Sequence, residues 1–337
     1  MKEEIIVSGR MNEGIDPYLN IWHWEIPIYL FLGGLAAGLI FFSALYSLLG
    51  KESQYKTAVK SASILAPFAI ILGLVALFLD LKHKLFFWQL YTTIRLESPM
   101  SWGAWTLLII TPLSFAWVAT FLKDLFPVIN WDKSFYARML RMVLKPVEQE
   151  QNWDWKYKIF RVLEAWIIRN KKLYAWVLIY YAVILGVYTG ILLSAFNARP
   201  LWNTSILGPL FLVSGLSTAA ATIMWMSSDH KERIMFSKID LILIGIELFL
   251  IAHLFMGFRA GPEVQVEAAK LFLGGNFTMM FWVFVVGIGL ILPAIFEVFE
   301  LFGKKVPVFI PAILILFGGV MFRIIMVDAG QLVRYLY

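Results

Sequence analysis

The chain has 337 residues, 60% of them hydrophobic and only 15% charged, with a net charge of +6 and a mean hydropathy of +0.75. A soluble domain carries about a quarter charged residues, so this composition excludes one. The absence of cysteine excludes an iron–sulfur cluster or thiolate metal site held by the chain's own residues, and no metal site is expected.

A bilayer crossing needs about 20 apolar residues. Eight stretches qualify: 26–49, 61–81, 102–122, 173–195, 207–226, 239–258, 277–298 and 308–327. They predict an all-α integral membrane protein with eight transmembrane helices. The loop 197–206 suggests two four-helix bundles, 26–195 and 207–327, without a recognisable sequence repeat between them. The first 20 residues carry Lys2, Glu3, Glu4, Arg10, Glu13 and Asp16 and no apolar leader core, so no cleavable signal is expected and the first span directs insertion.

The rim of the first span reads Asn20, Ile21, Trp22, His23, Trp24, Glu25. Tryptophans mark the headgroup level, Pro27 suits a first helical turn, and His23 is the side chain that exchanges protons near neutral pH. Residues 32–38 (LGGLAAG) then remove side-chain bulk. That pattern serves close helix packing or leaves a slot for an apolar ligand. A quinone head group needs hydrogen-bond partners and proton donors beside water, with hydrocarbon for its tail, and this rim offers both. An aromatic belt with one histidine would look similar.

The second span ends on Asp80. After the third span, the loop 123–172 places Arg138, Arg141 and Lys145 at helical spacing beside Phe135, Met139, Leu140 and Val143. Trp153 and Trp155 follow, then Ile159, Val162, Leu163, Trp166 and Ile167. Two readings fit. One is a pair of amphipathic helices on the cytoplasmic membrane surface, held by anionic lipid. The other is a solvated basic loop with aromatic anchors.

Charged groups within a span are costly and usually face the bundle interior. Here they are Asp80, Glu247, His253, Glu297, Arg323 and Asp328. Asp80, Glu297 and Asp328 lie near span ends, where interfacial water can satisfy them. Glu247 and Arg323 lie deeper, as a structural ion pair or as part of a proton path with His253 and Glu297. Glu247 and His253 are six residues apart, which does not stack them on one helix face. Of the four histidines, His23, His83, His230 and His253, only the last lies well inside a span, so no haem is expected in this chain.

Basic residues are retained in the cytoplasm. With the N-terminus outside, the inner loops hold nineteen of the 29 Lys and Arg, eleven of them in 123–172, and the outer segments hold nine. The positive charge is thus spread by topology, which argues against nucleic acid as a partner. Both termini are expected to be periplasmic, in a bacterial inner membrane.

Residues 22–38 (WHWEIPIYLFLGGLAAG) resemble the opening of the polysulfide reductase membrane-subunit family, the NrfD-like quinone-interacting proteins. Four further blocks agree in order: 98–105 (SPMSWGAW), 188–194 (YTGILLS), 209–220 (PLFLVSGLSTAA), and Gly318, Gly319, Arg323, Gly330 and Gln331 of the last span. The resemblance spans nearly the whole chain. It implies a fold of two four-helix bundles without redox cofactors of its own. It also implies electron exchange between membrane quinone, menaquinone or ubiquinone, and a ferredoxin-like iron–sulfur subunit. That subunit would lead to a molybdopterin catalytic subunit or a multihaem cytochrome. The positions matching the family's quinone site are Asn20, His23 and Tyr188, at the outer face. Asp80 matches an acid expected to exchange protons, although Leu81, Lys82, His83 and Lys84 follow it in place of the family's Gly-Arg-Pro. The long basic loop is an addition relative to compact relatives.

The expectation is therefore a quinone-exchanging membrane subunit of a respiratory oxidoreductase, preferably oxidising quinol, with proton translocation open. A solute transporter or ion channel, with Glu247, Arg323 and His253 lining a midplane site, is the alternative. A haem-bearing anchor, which an optical spectrum would reveal, is the third reading.

Overall fold

The computed structural model describes residues 19–129, 135–147, 153–304 and 306–333. Lys2, Glu3, Glu4, Arg10, Glu13, Asp16, Lys133, Lys305 and Arg334, used in the charge reading, lie outside the described residues. Among the described residues, eight helices are long and apolar enough to cross a membrane. They are α1 (Glu25–Leu48), Thr57–Asp80 with its regular part α2 (Leu65–Asp80), α3 (Pro99–Leu125), α6 (Lys171–Ser194), α7 (Leu207–Met226), α8 (His230–Ala260), Met280–Leu301 with its regular part α10 (Leu292–Leu301), and α11 (Phe309–Leu332). A short helix, α9 (Glu263–Lys270), follows α8. The helical form follows from the solvent: in hydrocarbon every backbone N–H and C=O must be paired within the segment.

The helix ends show what hydropathy alone misses. The sixth span begins at His230 rather than 239, because the Asp229 carboxylate accepts the Lys231 N–H at 3.0 Å and caps a polar first turn. The third begins at Pro99, in the first turn where a missing N–H costs nothing. At the far end of α1, Gly50 takes a φ of +69° and the next N–H, of Lys51, closes on Tyr46 O at 2.9 Å. A side chain would resist that left-handed turn. The second span opens with wide and tight turns, and the Ser43 hydroxyl donates to the Val59 carbonyl there at 2.7 Å.

α1 and α7 are the most enclosed spans. α1 packs on α2, α6, α7 and α11, and α7 packs on α1, α6, α8 and α11. Their crossing is a seam of small residues. A Cβ added at Gly38 would stand 2.5 Å from Ala219 Cβ and 2.6 Å from Gly215 O, and one added at Gly215 would stand 2.7 Å from Gly34 O. The backbones therefore touch, as small residues permit.

The segment between α3 and α6 contains two helices, α4 (Phe135–Val143) and α5 (Lys158–Arg169), as the first of the two readings expected. Between them β1 (Leu144–Pro146) pairs antiparallel with β2 (Trp153–Trp155), with Leu144 opposite Trp155. The periodicity did not predict this hairpin. Leu144, Trp153 and Trp155 form a small core of their own against Ala119, Leu122 and Ile129.

The loops gather on two faces. On one, Lys171 pairs with Glu52 at 2.6 Å, Lys60 pairs with Asp124, and Glu232 accepts the Ala58 N–H at 2.8 Å. On the other, the residues before α1 meet the end of α11 and the loop after α6.

Candidate functional site

The segment leading into α1 is held by Gln331 of α11. The Gln331 Oε1 accepts the Ile21 and Trp22 N–H groups at 3.1 and 3.0 Å, its Nε2 donates to Trp22 O at 2.8 Å, and Leu19 N–H donates to Gln331 O at 3.0 Å. The Trp22 ring packs edge-on against Phe196 at 4.9 Å and leans on Trp202 at 5.4 Å. Trp202 in turn donates its indole N–H to Met326 O at 2.8 Å and lies over Gly330, where any Cβ would overlap it. Gly330 and Gln331 thus fix the rim through backbone room and an amide clamp.

Behind this rim lies a cavity of about 410 Å³ between α1, α2, α3 and α6. Its walls are largely apolar, among them Ile26, Leu74, Phe78, Leu107 and Leu192. Its polar groups are Tyr29, Asp80, Tyr91 and Tyr188, with Trp22 at the edge. Tyr188 reaches the cavity across Gly103, and any side chain at that position would overlap its phenol. Tyr29 and Tyr188 line the same wall region, and Tyr29 Oη is buried without a hydrogen-bond partner. Burial raises the Tyr91 phenol above its ordinary value, so it stays a proton donor at neutral pH.

Asp80 stands within electrostatic range of Glu25 and His23, and His23 also interacts with Asp328. Of the residues expected at a ring-binding site, the cavity therefore gathers Tyr188 and Asp80. His23 is exposed on its water side, beside Asp80 but not in the wall, and Asn20 is exposed on the approach. Tyr29 and Tyr91 were not expected. Tyr29 lies one turn below Glu25 within residues 22–38, and an inward helical face was the signal for it.

A second polar group lies deeper. Arg323 is fully buried between α1, α7 and α11. Its Nη1 donates to Ser214 Oγ at 2.5 Å and to Gly319 O at 3.2 Å, and its Nη2 donates to Phe211 O at 3.2 Å. The guanidinium also lies 5.0 Å from the Phe211 ring centroid and packs on Gly34. Glu247, equally buried, interacts with Arg323 and with Ser214. Asp240, which the sequence reading did not single out, accepts from Ser217 Oγ at 2.6 Å and faces Glu297. Asp240 Oδ2 and both Glu297 carboxyl oxygens are buried without a hydrogen-bond partner.

Glu232, Asp240 and Glu247 are spaced eight and seven residues apart, about two helical turns each, so all three lie on one buried face of α8. His253 does not join them. It is exposed on another face, with its Nδ1 2.8 Å from Phe249 O and its ring 3.9 Å from the Phe249 centroid. The structure thus sets Glu247 within electrostatic range of Arg323, beyond ion-pair distance, sets Glu297 facing Asp240, and places His253 apart.

The family model described as polysulphide reductase, NrfD, matches residues 13–334. Protein NrfD of Escherichia coli strain K12 is 30% identical over 325 residues, covering 93% of this chain and 95% of that protein. A polysulfide reductase chain from Wolinella succinogenes is 31% identical over 338 residues, covering 96% and 98%. A selenate reductase subunit from Mesobacillus selenatarsenatis is 23% identical over 304 residues, covering 84% and 69%. With a match from end to end and eight membrane-crossing helices, the chain is a multi-pass membrane protein that belongs to the polysulphide reductase NrfD family.

Proposed function

We propose that this chain is the quinone-facing membrane subunit of a respiratory reductase complex in a bacterial inner membrane. Its N-terminus is periplasmic and its spans form two four-helix bundles. It takes electrons from quinol and passes them to a ferredoxin-like iron–sulfur subunit on the outer face. A molybdopterin enzyme or multihaem cytochrome lies beyond. Related proteins named as parts of polysulfide and selenate reductases support this placement. Family membership does not favour the transporter or channel reading.

The observation that carries the proposal is the cavity of about 410 Å³, apolar on most walls and lined with phenols and one carboxylate near the rim. Ligand pockets for small apolar molecules typically show this composition. Tyr188 and Tyr29 would hold ring oxygens as hydrogen-bond donors. Asp80 would take a proton from a ring oxygen, and His23, on its water side, would pass it outward with Asn20 at the approach. Each quinol oxidised releases two electrons to the partner and two protons to this path.

The buried acids support a further element, a proton path running from Glu232 through Asp240 and Glu297 to Glu247 and Arg323. Groups of this kind inside a membrane mark proton relays.

The test is kinetic. In the purified complex, Tyr188→Phe removes one buried donor, a loss of about 1–2 kcal/mol, or roughly tenfold in quinol-driven rate. His23→Ala should lower the same rate. Activity of the partner with an artificial electron donor should stay unchanged in both. Quinol-driven rates equal to wild type in both variants would sink the assignment.

A further inference from the structure

The segment between α3 and α6 is not used by any step above, yet it carries an organised surface. In α5, Ile159, Val162, Leu163 and Trp166 recur at i, i+3, i+4 and i+7, the repeat of one helix face. They are 71%, 57%, 41% and 49% exposed. The adjoining arc of α5 is buried through Glu164 and Ile167. The helix therefore turns its polar anchor inward and its apolar stripe outward, the reverse of a helix on a water-soluble surface. In α4, Phe135, Met139, Met142 and Val143 are likewise exposed on one arc, and Arg138 and Arg141 lie on the adjoining one.

The charges are sorted in the same sense. The Glu164 carboxylate accepts from Lys123 Nζ at 2.8 Å and from the Trp155 indole at 3.0 Å, and Asp154 accepts from Lys123 at 3.1 Å. The acids among the module's described residues are thus turned inward and neutralised. Arg138, Lys145, Lys156, Lys158 and Arg169 are basic and exposed on its described surface. Its height is also fixed. α6, a membrane-crossing helix, starts at Lys171 after a break at Asn170, and Lys123 lies in the last turn of α3. α5 is thereby tied to the level where two spans leave the hydrocarbon.

We propose that α4 and α5 form a membrane-surface anchor. The stripe of α5 and the apolar arc of α4 enter the headgroup boundary of the same bilayer, and their flanking basic residues bind anionic phospholipid. An outward apolar face with basic flanks, held at headgroup level, is the pattern of an interfacial helix. The inference does not depend on the quinone reading.

The cysteine-free chain makes a clean test. Single cysteines replace residues 158–169 in turn in the full chain, carry a nitroxide, and are reconstituted in vesicles of phosphatidylcholine and phosphatidylglycerol. At Ile159, Val162 and Trp166, oxygen should relax the label and a water-soluble nickel chelate should not, and at Lys158 and Arg169 the chelate should act. Chelate access at Val162 equal to that at Lys158 would overturn the proposal in favour of solvent. Protection of Val162 from both reagents would overturn it in favour of a protein cover.

The charge component is read separately as phosphatidylglycerol retained by the protein after detergent purification. Changing Arg138, Lys145 and Arg169 to Gln should weaken retention about fivefold per charge, from roughly 1 kcal/mol for each basic residue near an anionic surface. Retention equal to wild type would overturn that component. Loss of the spans' helical signal would identify a misfolded variant, and single changes to Gln then replace the triple one.

Discussion

Tyr188 can stand where it does only because position 103 has no side chain. Gly103→Ala places a methyl group into the phenol, an overpacking that typically costs about 1–3 kcal/mol. The expected outcome is a quinol-driven rate at least as low as that of Tyr188→Phe, with partner activity on an artificial donor intact. A wild-type rate in the same assay would show that the phenol is not needed where it stands. Arg323 calls for a different experiment. Removing one partner from a buried charged group costs about 3–5 kcal/mol, while replacing the whole group by apolar or neutral residues costs much less. Arg323→Met should therefore lower the melting temperature in detergent more than Arg323→Met combined with Glu247→Gln. A double variant no more stable than the single one would refute the coupling. Arg323 and Glu247 were legible as buried charges because each stands in an apolar run. Asp240 was not, because it lies one residue inside the predicted edge of its span, where hydropathy does not separate a buried acid from a solvated one.

The hairpin and helices between α3 and α6 depend on an ion cluster at neutral pH. Burial opposes ionisation of Asp154, but hydrogen bonds from Lys123 and the Trp155 backbone, with the charges of Lys123 and Arg161, hold its carboxyl below the usual range. A depressed folded-state value means that the stabilisation is fully present above the ordinary Asp value of about 3.9. It is lost as pH falls through the lower folded value. Acidification from pH 7 to below about 4 should therefore loosen the hairpin, seen as faster backbone hydrogen exchange at 153–155. Asp154→Asn should exchange at the faster rate across the whole range. At the other face, Gln331→Ala should speed exchange of the Ile21 and Trp22 N–H groups, which the amide now holds. Unchanged exchange there would mean that the ring packing of Trp22 suffices. The two amphipathic helices were readable from their 3.6-residue pattern. The hairpin was not, since three residues of alternation, Trp153 to Trp155, are too few to separate a strand from an aromatic anchor.

Across the whole molecule, number, order and rough position of the spans were legible because the bilayer imposes one length and one secondary structure. Which faces meet was not, since a span that is apolar all round carries little directional signal. The quoted blocks carried part of that information without displaying it. Gly34, Gly38 and Gly215 proved to be one crossing, Ser214 and Ser217 the partners of Arg323 and Asp240, and Gly330 the bed of Trp202. The orientation proposed from the basic residues has its own check. A cysteine placed at Lys84 should react with a membrane-impermeant maleimide in intact cells, and one at Lys145 only after the membrane is opened. The reverse pattern would invert the topology. The bare crossing of α1 and α7 sets a limit on how such a protein can work. Two helices locked backbone to backbone cannot pivot or slide without tearing their shared ridge, so this fold is a poor rocker. Under the proposed function, a link between the tyrosine chamber and the acidic column of α8 would then run through a frame pinned at this crossing, as protons passed between oxygens rather than as a swing of one helix past the other.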